Sequence, residues 1–120
     1  MRYDCAIVDS NILIYCIENS IDLLKEVSRV LELSKIFIPA SVDRELSGLA
    51  RSNQSAAMAV EIFKGIQRLP NDGNGDDAIV STAVRSGCAV ITNDRELKNK
   101  LKGMGIPTYS LRRYGRIERS

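Results

Sequence analysis

With 120 residues and a net charge of +2, the chain has room for one domain around one apolar core, and not for two. Histidine is absent, which excludes Ser-His-Asp and Cys-His nucleophilic schemes, His-ligated zinc and imidazole acid-base catalysis within the chain. No apolar run reaches the ~20 residues that a bilayer span needs, and the apolar stretch after Met1-Arg2-Tyr3-Asp4 is too short for a signal peptide, so a cytoplasmic protein is expected. Cys5, Cys16 and Cys88 are scattered among apolar residues and are read as buried reduced thiols rather than a disulfide framework or a zinc site.

In chain order, Cys5-Ala6-Ile7-Val8 predicts a buried strand that leaves the core at Asp9-Ser10-Asn11 into a helix continuing to Ile17. Ser20 is the expected N-cap of a second helix with Ile21, Leu24, Val27 and Leu31 on one side. Ile36-Phe37-Ile38 predicts a strand stopped by Pro39. Ser41 to Leu49 predicts a helix with Val42, Leu46 and Leu49 inward and Glu45 at the margin of that face. A longer helix from about Ser52 turns Ala59, Phe63, Ile66 and Leu69 inward, and Pro70 to Gly75 is a loop. Asp76-Asp77 open a helix through Val84, Cys88 to Thr92 is a third strand, and Asn93 with Glu96 has capping-box spacing for the next helix. Pro107 to Leu111 is the expected last strand. The division expected is a domain over 1–111 and a basic tail over 112–120.

Alternating strands and helices call for βαβ crossovers and a parallel sheet covered on both faces, with ligands bound beyond the carboxyl ends of the strands. Asp9 and Asp94 fall there. Taken singly, each acid has an ordinary explanation: Asp9 and Asp94 as helix caps, Glu45 as a surface charge, Asp76 and Asp77 as acids favoured at a helix start. Taken together in a chain without histidine, they are the hard oxygen donors that Mg²⁺ or Mn²⁺ selects.

Four segments resemble the PIN-domain family: Ile7-Val8-Asp9-Ser10-Asn11, Val42-Asp43-Arg44-Glu45-Leu46, Asp77-Ala78-Ile79 and Ile91-Thr92-Asn93-Asp94-Arg95-Glu96-Leu97. The resemblance spans nearly the whole chain. It implies a three-layer α/β/α fold with a mostly parallel sheet, and metal-dependent hydrolysis of RNA phosphodiesters or, in some branches, of flapped DNA. Asp9, Glu45, Asp77 and Asp94 inherit the catalytic and metal-ligand roles. Ser10, Asn11, Thr92 and Asn93 are the supporting or substrate-orienting groups, and Asp76, one residue early for the motif, is a cap or outer carboxylate. Within the family, the short segment from Glu45 to Asp77 disfavours the toxins of toxin-antitoxin pairs, and the last third looks more like small archaeal proteins similar to ribosomal-RNA-processing factors. The family makes a homodimer or a protein partner plausible.

Basic residues cluster after the fourth motif. Arg95, Lys98 and Lys102 share a helix face leading away from Asp94, and with Arg112, Arg113 and Arg116 they form the expected path for single-stranded RNA, with Tyr109 and Tyr114 as stacking candidates. A solvated helix face would look the same. The rival readings are a catalytically inactive scaffold that binds RNA or protein, and a phosphoryl-transfer enzyme with Asp9 phosphorylated. The latter is disfavoured because Asn11 stands where a haloacid-dehalogenase-type phosphatase needs a second Asp.

Overall fold

Ala6, Ile7 and Val8 have no polar alternation because both faces of their strand are covered: all three are completely buried in β1 (Ala6–Val8). The same holds for β4 (Ala89–Ile91), which lies beside β1 in parallel register, Ala6 opposite Ala89 and Val8 opposite Ile91. The computed structural model of the protein describes residues 5–31, 35–112 and 114–120. Between these two strands run α1 (Ser10–Glu18), α2 (Leu23–Leu31), β2 (Ile36–Pro39), α3 (Ala40–Leu49), α4 (Gln54–Ile62), β3 (Arg68–Leu69) and α5 (Gly75–Ser86). After β4 come α6 (Arg95–Gly103), β5 (Thr108–Leu111) and β6 (Ile117–Arg119).

The sheet order is β3-β2-β1-β4-β5-β6, parallel except for the antiparallel β5-β6 pair. The α/β class and mostly parallel sheet expected from the sequence are therefore present. From β1 the chain steps outward through β2 to β3, then returns across β1 to β4 and β5. α1, α3 and α4 pack on one another, and α5 packs against both α3 and α6. The reversal of direction makes the β1/β4 crevice the topological switch point, where open parallel sheets bind ligands.

Several boundaries differ from the sequence expectation. Ser20 does not cap α2; it has φ 53, and Asp22 caps instead, its Oδ1 accepting from the Lys25 amide at 3.2 Å. Leu23 and Val27 form the inward side of that helix, and Leu24 is half-exposed. The helix expected to run past Phe63 stops at Ile62, and Arg68-Leu69 form β3, whose length and charge hide its strand character. The basic tail is not a tail: Ile117 is buried, and β6 pairs back on β5 with Leu111 opposite Ile117. Arg113 lies outside the described residues.

The cysteine expectation is overturned as well. Cys5 and Cys88 precede β1 and β4, adjacent parallel strands, and they form a disulfide across 83 residues of sequence. The Ala89 amide donates to the Cys5 carbonyl at 3.0 Å beside it. Only Cys16 behaves as expected, a free buried thiol whose pKa is pushed up to about 12 by burial, and so unreactive.

Candidate active site

Asp9 ends β1 and Asp94 follows β4, so strand pairing alone sets these two acids side by side at the switch point. Each also caps a helix. Asp9 is the N-cap of α1, its Oδ1 accepting from the Ser10 amide at 2.8 Å, and Asp94 is the N-cap of α6, its Oδ1 accepting from the Leu97 amide at 3.2 Å. The capping-box expectation for Asn93 does not hold. Asn93 instead clamps onto β5, donating to the Leu111 carbonyl at 3.1 Å and accepting from the Leu111 amide at 2.9 Å.

Thr92 joins the two acids. Its hydroxyl donates to Asp9 Oδ2 at 3.0 Å and accepts from the Asp94 amide at 3.1 Å. Ser10 reaches the third acid, its hydroxyl donating to Glu45 Oε1 on α3 at 2.9 Å. Asn11, one residue on, is exposed.

The electrostatics of Asp9 are unfavourable to its charge. Only 7 % of the residue is exposed, and burial raises its pKa, against the hydrogen bonds from Thr92 and Ser10 and with the help of the Glu45 and Asp94 charges. Among the described residues no lysine or arginine forms an ion pair with Asp9, Glu45 or Asp94. A desolvated carboxylate flanked by two like charges is a place that a hard cation relieves.

The adjacent pair on α5 is sorted by helix phase. Asp77, expected as the ligand, has a side chain 95 % exposed and is not brought to the cluster. Asp76, expected as a cap, is 28 % exposed, and its pKa is raised by burial and by the charge of Asp94. Gly75, with φ 69, a backbone that side chains rarely adopt, turns the chain into the helix just before Asp76. Lys100, expected only as one of the basic residues clustered after Arg95 and not at the site, stands 3.9 Å from Asp76 and 3.7 Å from Asp77. Its phase on α6, about 200° from Lys98, was the available signal.

The four expected acids therefore do not form a single shell: among the described residues no three His, Cys, Asp or Glu side chains are grouped closely enough to hold an ion alone. A cavity of about 880 Å³ lies elsewhere, lined by Cys16, Leu23, Phe37, Met58 and Phe63 around the start of β2, with none of these acids in its wall.

Residues 6–114 match the family described as a PIN-like domain. The chain belongs to the PIN-like domain family. The PIN domain is 35% identical over 118 residues to the protein named ribonuclease VapC9 of Archaeoglobus fulgidus, covering 94% of this chain and 87% of that one. It is 30% identical over 121 residues to rRNA-processing protein fcf1 of Schizosaccharomyces pombe, again over 94% of this chain but spanning 62% of that protein. Among solved structures, the PIN domain endonuclease Utp24 superposes with a TM-score of 0.81 at 30% identity, over 97% of this chain and 92% of that one. A Methanocaldococcus jannaschii domain superposes with a TM-score of 0.68 at 20% identity over 91% of each chain, a likeness of fold. These likenesses do not separate the branches of the family, since the ribonuclease and the rRNA-processing protein match over the same share of the PIN domain.

On the basic side, Lys98 is crowded by cations: its pKa is lowered by partial burial and by Arg112, Lys102 and Arg95. Arg112 is held by Glu118 at 3.0 Å, and Arg116 lies near Glu26, whose charge it helps to stabilise. The Arg119 guanidinium lies over one face of the Tyr109 ring, 5.6 Å from its centroid. Tyr114 is 84% exposed.

Proposed function

We propose that this PIN domain is a Mg²⁺- or Mn²⁺-dependent endoribonuclease acting on single-stranded RNA, with Asp9, Asp94 and Asp76 around the ion and Glu45 joined to them through Ser10. The desolvated Asp9 carboxylate between Glu45 and Asp94, without an ion-pair partner among the described residues, carries the proposal. A bound divalent ion would polarise the phosphodiester and lower the pKa of an attacking water. The protein's part is position. Thr92 fixes the orientation of Asp9 relative to Asp94, Ser10 ties Glu45 to the end of β1, and Lys100 offsets charge at the Asp76 rim. Arg95, Lys98, Lys102 and Arg112 offer phosphate contacts beside the site.

The test is Mn²⁺-dependent cleavage of an unstructured RNA, with product ends showing internal cuts. An inactive scaffold would retard that RNA on a gel and leave it whole.

Two expected results refine the assignment. Asp76→Asn should lower cleavage by at least about tenfold, in the range lost with partners of a metal site, whereas Asp77→Asn should change it less than twofold. Equal losses in the two variants would return the ligand role to Asp77 or to neither. Changing Lys98 and Lys102 together to glutamine should weaken RNA binding and reduce the slope of log K against log salt by ~0.7 per lost contact. An unchanged slope would place the RNA path on another face.

A further inference from the structure

We infer that Asn71, with Arg44, is a positioning device that sets the helix carrying Glu45 against the helix that opens at Asp76. The inference rests on the nuclease reading above. Strand pairing fixes Asp9 against Asp94, but it says nothing about Glu45 and Asp76, which sit on α3 and α5 and are joined by no sheet register.

The start of α3 poses a problem that the chain solves at long range. Its N-cap is Pro39, which has no side-chain hydrogen bond to offer, and the residues behind it are buried, so an amide of the first turn needs an outside acceptor. Asn71 supplies it. Its Oδ1 accepts from the Ser41 amide at 2.7 Å, while its Nδ2 donates to Ser41 Oγ at 2.8 Å and to Thr82 Oγ1 at 3.0 Å. Thr82 is completely buried on α5 and passes its own proton to the Ala78 carbonyl at 2.7 Å. One side chain thus bonds the first turn of α3 and the middle of α5 together.

A second bond lies further along the same loop, where Arg44 donates to the Gly73 carbonyl at 3.0 Å. Arg44 precedes Glu45, and Gly73 stands three residues before Asp76. The loop is therefore held to α3 at two points, Asn71 on Ser41 and Gly73 on Arg44, within five residues of each acid. Local capping of α3 would need only the Ser41 bond; the Thr82 and Arg44 bonds reach past it to the elements that carry the site.

The experiment uses the full chain. Asn71→Ala and Arg44→Gln are compared with wild type by Mn²⁺ titration calorimetry and by kcat and KM on single-stranded RNA, with amide exchange at Ser41 reporting the clamp directly. Asn71→Ala should speed exchange at Ser41, weaken Mn²⁺ binding by about tenfold and lower kcat by a similar factor, with KM for RNA unchanged because the cations of α6 are untouched. Arg44→Gln, at an exposed position, should keep the fold and show a smaller loss in the same direction; it carries the test if Asn71→Ala does not fold. Wild-type Mn²⁺ affinity and kcat in both variants, with only the melting temperature lowered, would reduce Asn71 to a cap and overturn the inference, as would an effect confined to KM. If wild type itself neither binds Mn²⁺ nor cleaves RNA, the nuclease reading falls first and the clamp with it.

Discussion

Asp9→Asn is expected to abolish metal-dependent cleavage, by more than about 100-fold, and at the same time to raise the melting temperature of the metal-free protein at neutral pH. The fold disfavours the Asp9 charge, chiefly through burial, so its folded pKa stands above the ordinary value of 3.8. Between those two values the native state holds more protons than the unfolded chain, and stability falls as pH rises through that window. Above the folded pKa the cost of the charge is fully present; at a pH below 3.8 it is absent. Asparagine removes that cost while keeping an oxygen for the Ser10 amide and a polar atom for Thr92. The stabilisation of the variant should therefore grow on going from acid to neutral pH. Mg²⁺ should invert the order, because an ion at 100 times its Kd stabilises the wild-type native state by about 2.7 kcal/mol and the variant by much less. Melting curves across pH, with and without Mg²⁺, measure all of this. If the variant is no more stable than wild type at pH 7, or gains as much from Mg²⁺, Asp9 is a helix cap and nothing more.

Reducing the Cys5–Cys88 bond should produce the largest loss of stability. By loop-closure entropy, a crosslink spanning 83 residues constrains the unfolded chain by about 4.5 kcal/mol at 25 °C, a large share of the 5–15 kcal/mol typical of a whole domain. Wild type with and without a reductant, and Cys5→Ala with Cys88→Ala, should melt roughly 10 to 20 °C lower without the bond. Cleavage at 25 °C should be unchanged, since the bond lies at the amino ends of β1 and β4 and the acids at their carboxyl ends. A melting temperature indifferent to reductant would show that the protein in solution lacks the bond.

What the sequence could reveal followed the range of the interaction concerned. Buried parallel strands declare themselves as unbroken apolar runs, so β1 and β4 were legible, and with them Asp9 and Asp94 at their ends. Glu45 was legible as the margin of a helical stripe. The choice between Asp76 and Asp77 was not, because neighbouring helix positions differ by 100° of rotation and the phase of α5 is set by the Gly75 turn. β3 has two residues, one of them charged, and β6 lies in a basic run, so neither carries a hydrophobic signature of its own; each exists through its neighbour in the sheet. The disulfide and the Asn71 network join residues 83 and 30 positions apart, and no local pattern encodes which distant partner a cysteine or an asparagine will meet.

The two acids proposed for the site, Asp9 and Asp94, are both helix caps, and asparagine caps a helix about as well as aspartate. A single transition in the first position of an aspartate codon gives asparagine. Loss of chemistry at either position therefore lies one mutational step away and leaves folding intact, so selection on the fold offers no barrier to it. A lineage of this domain can shed catalysis and keep its shape and the cations of α6, which makes a pseudoenzyme an easy evolutionary destination. In the laboratory the same property is useful: Asp94→Asn should yield a folded, uncutting protein that retains its RNA long enough for the substrate to be recovered and sequenced.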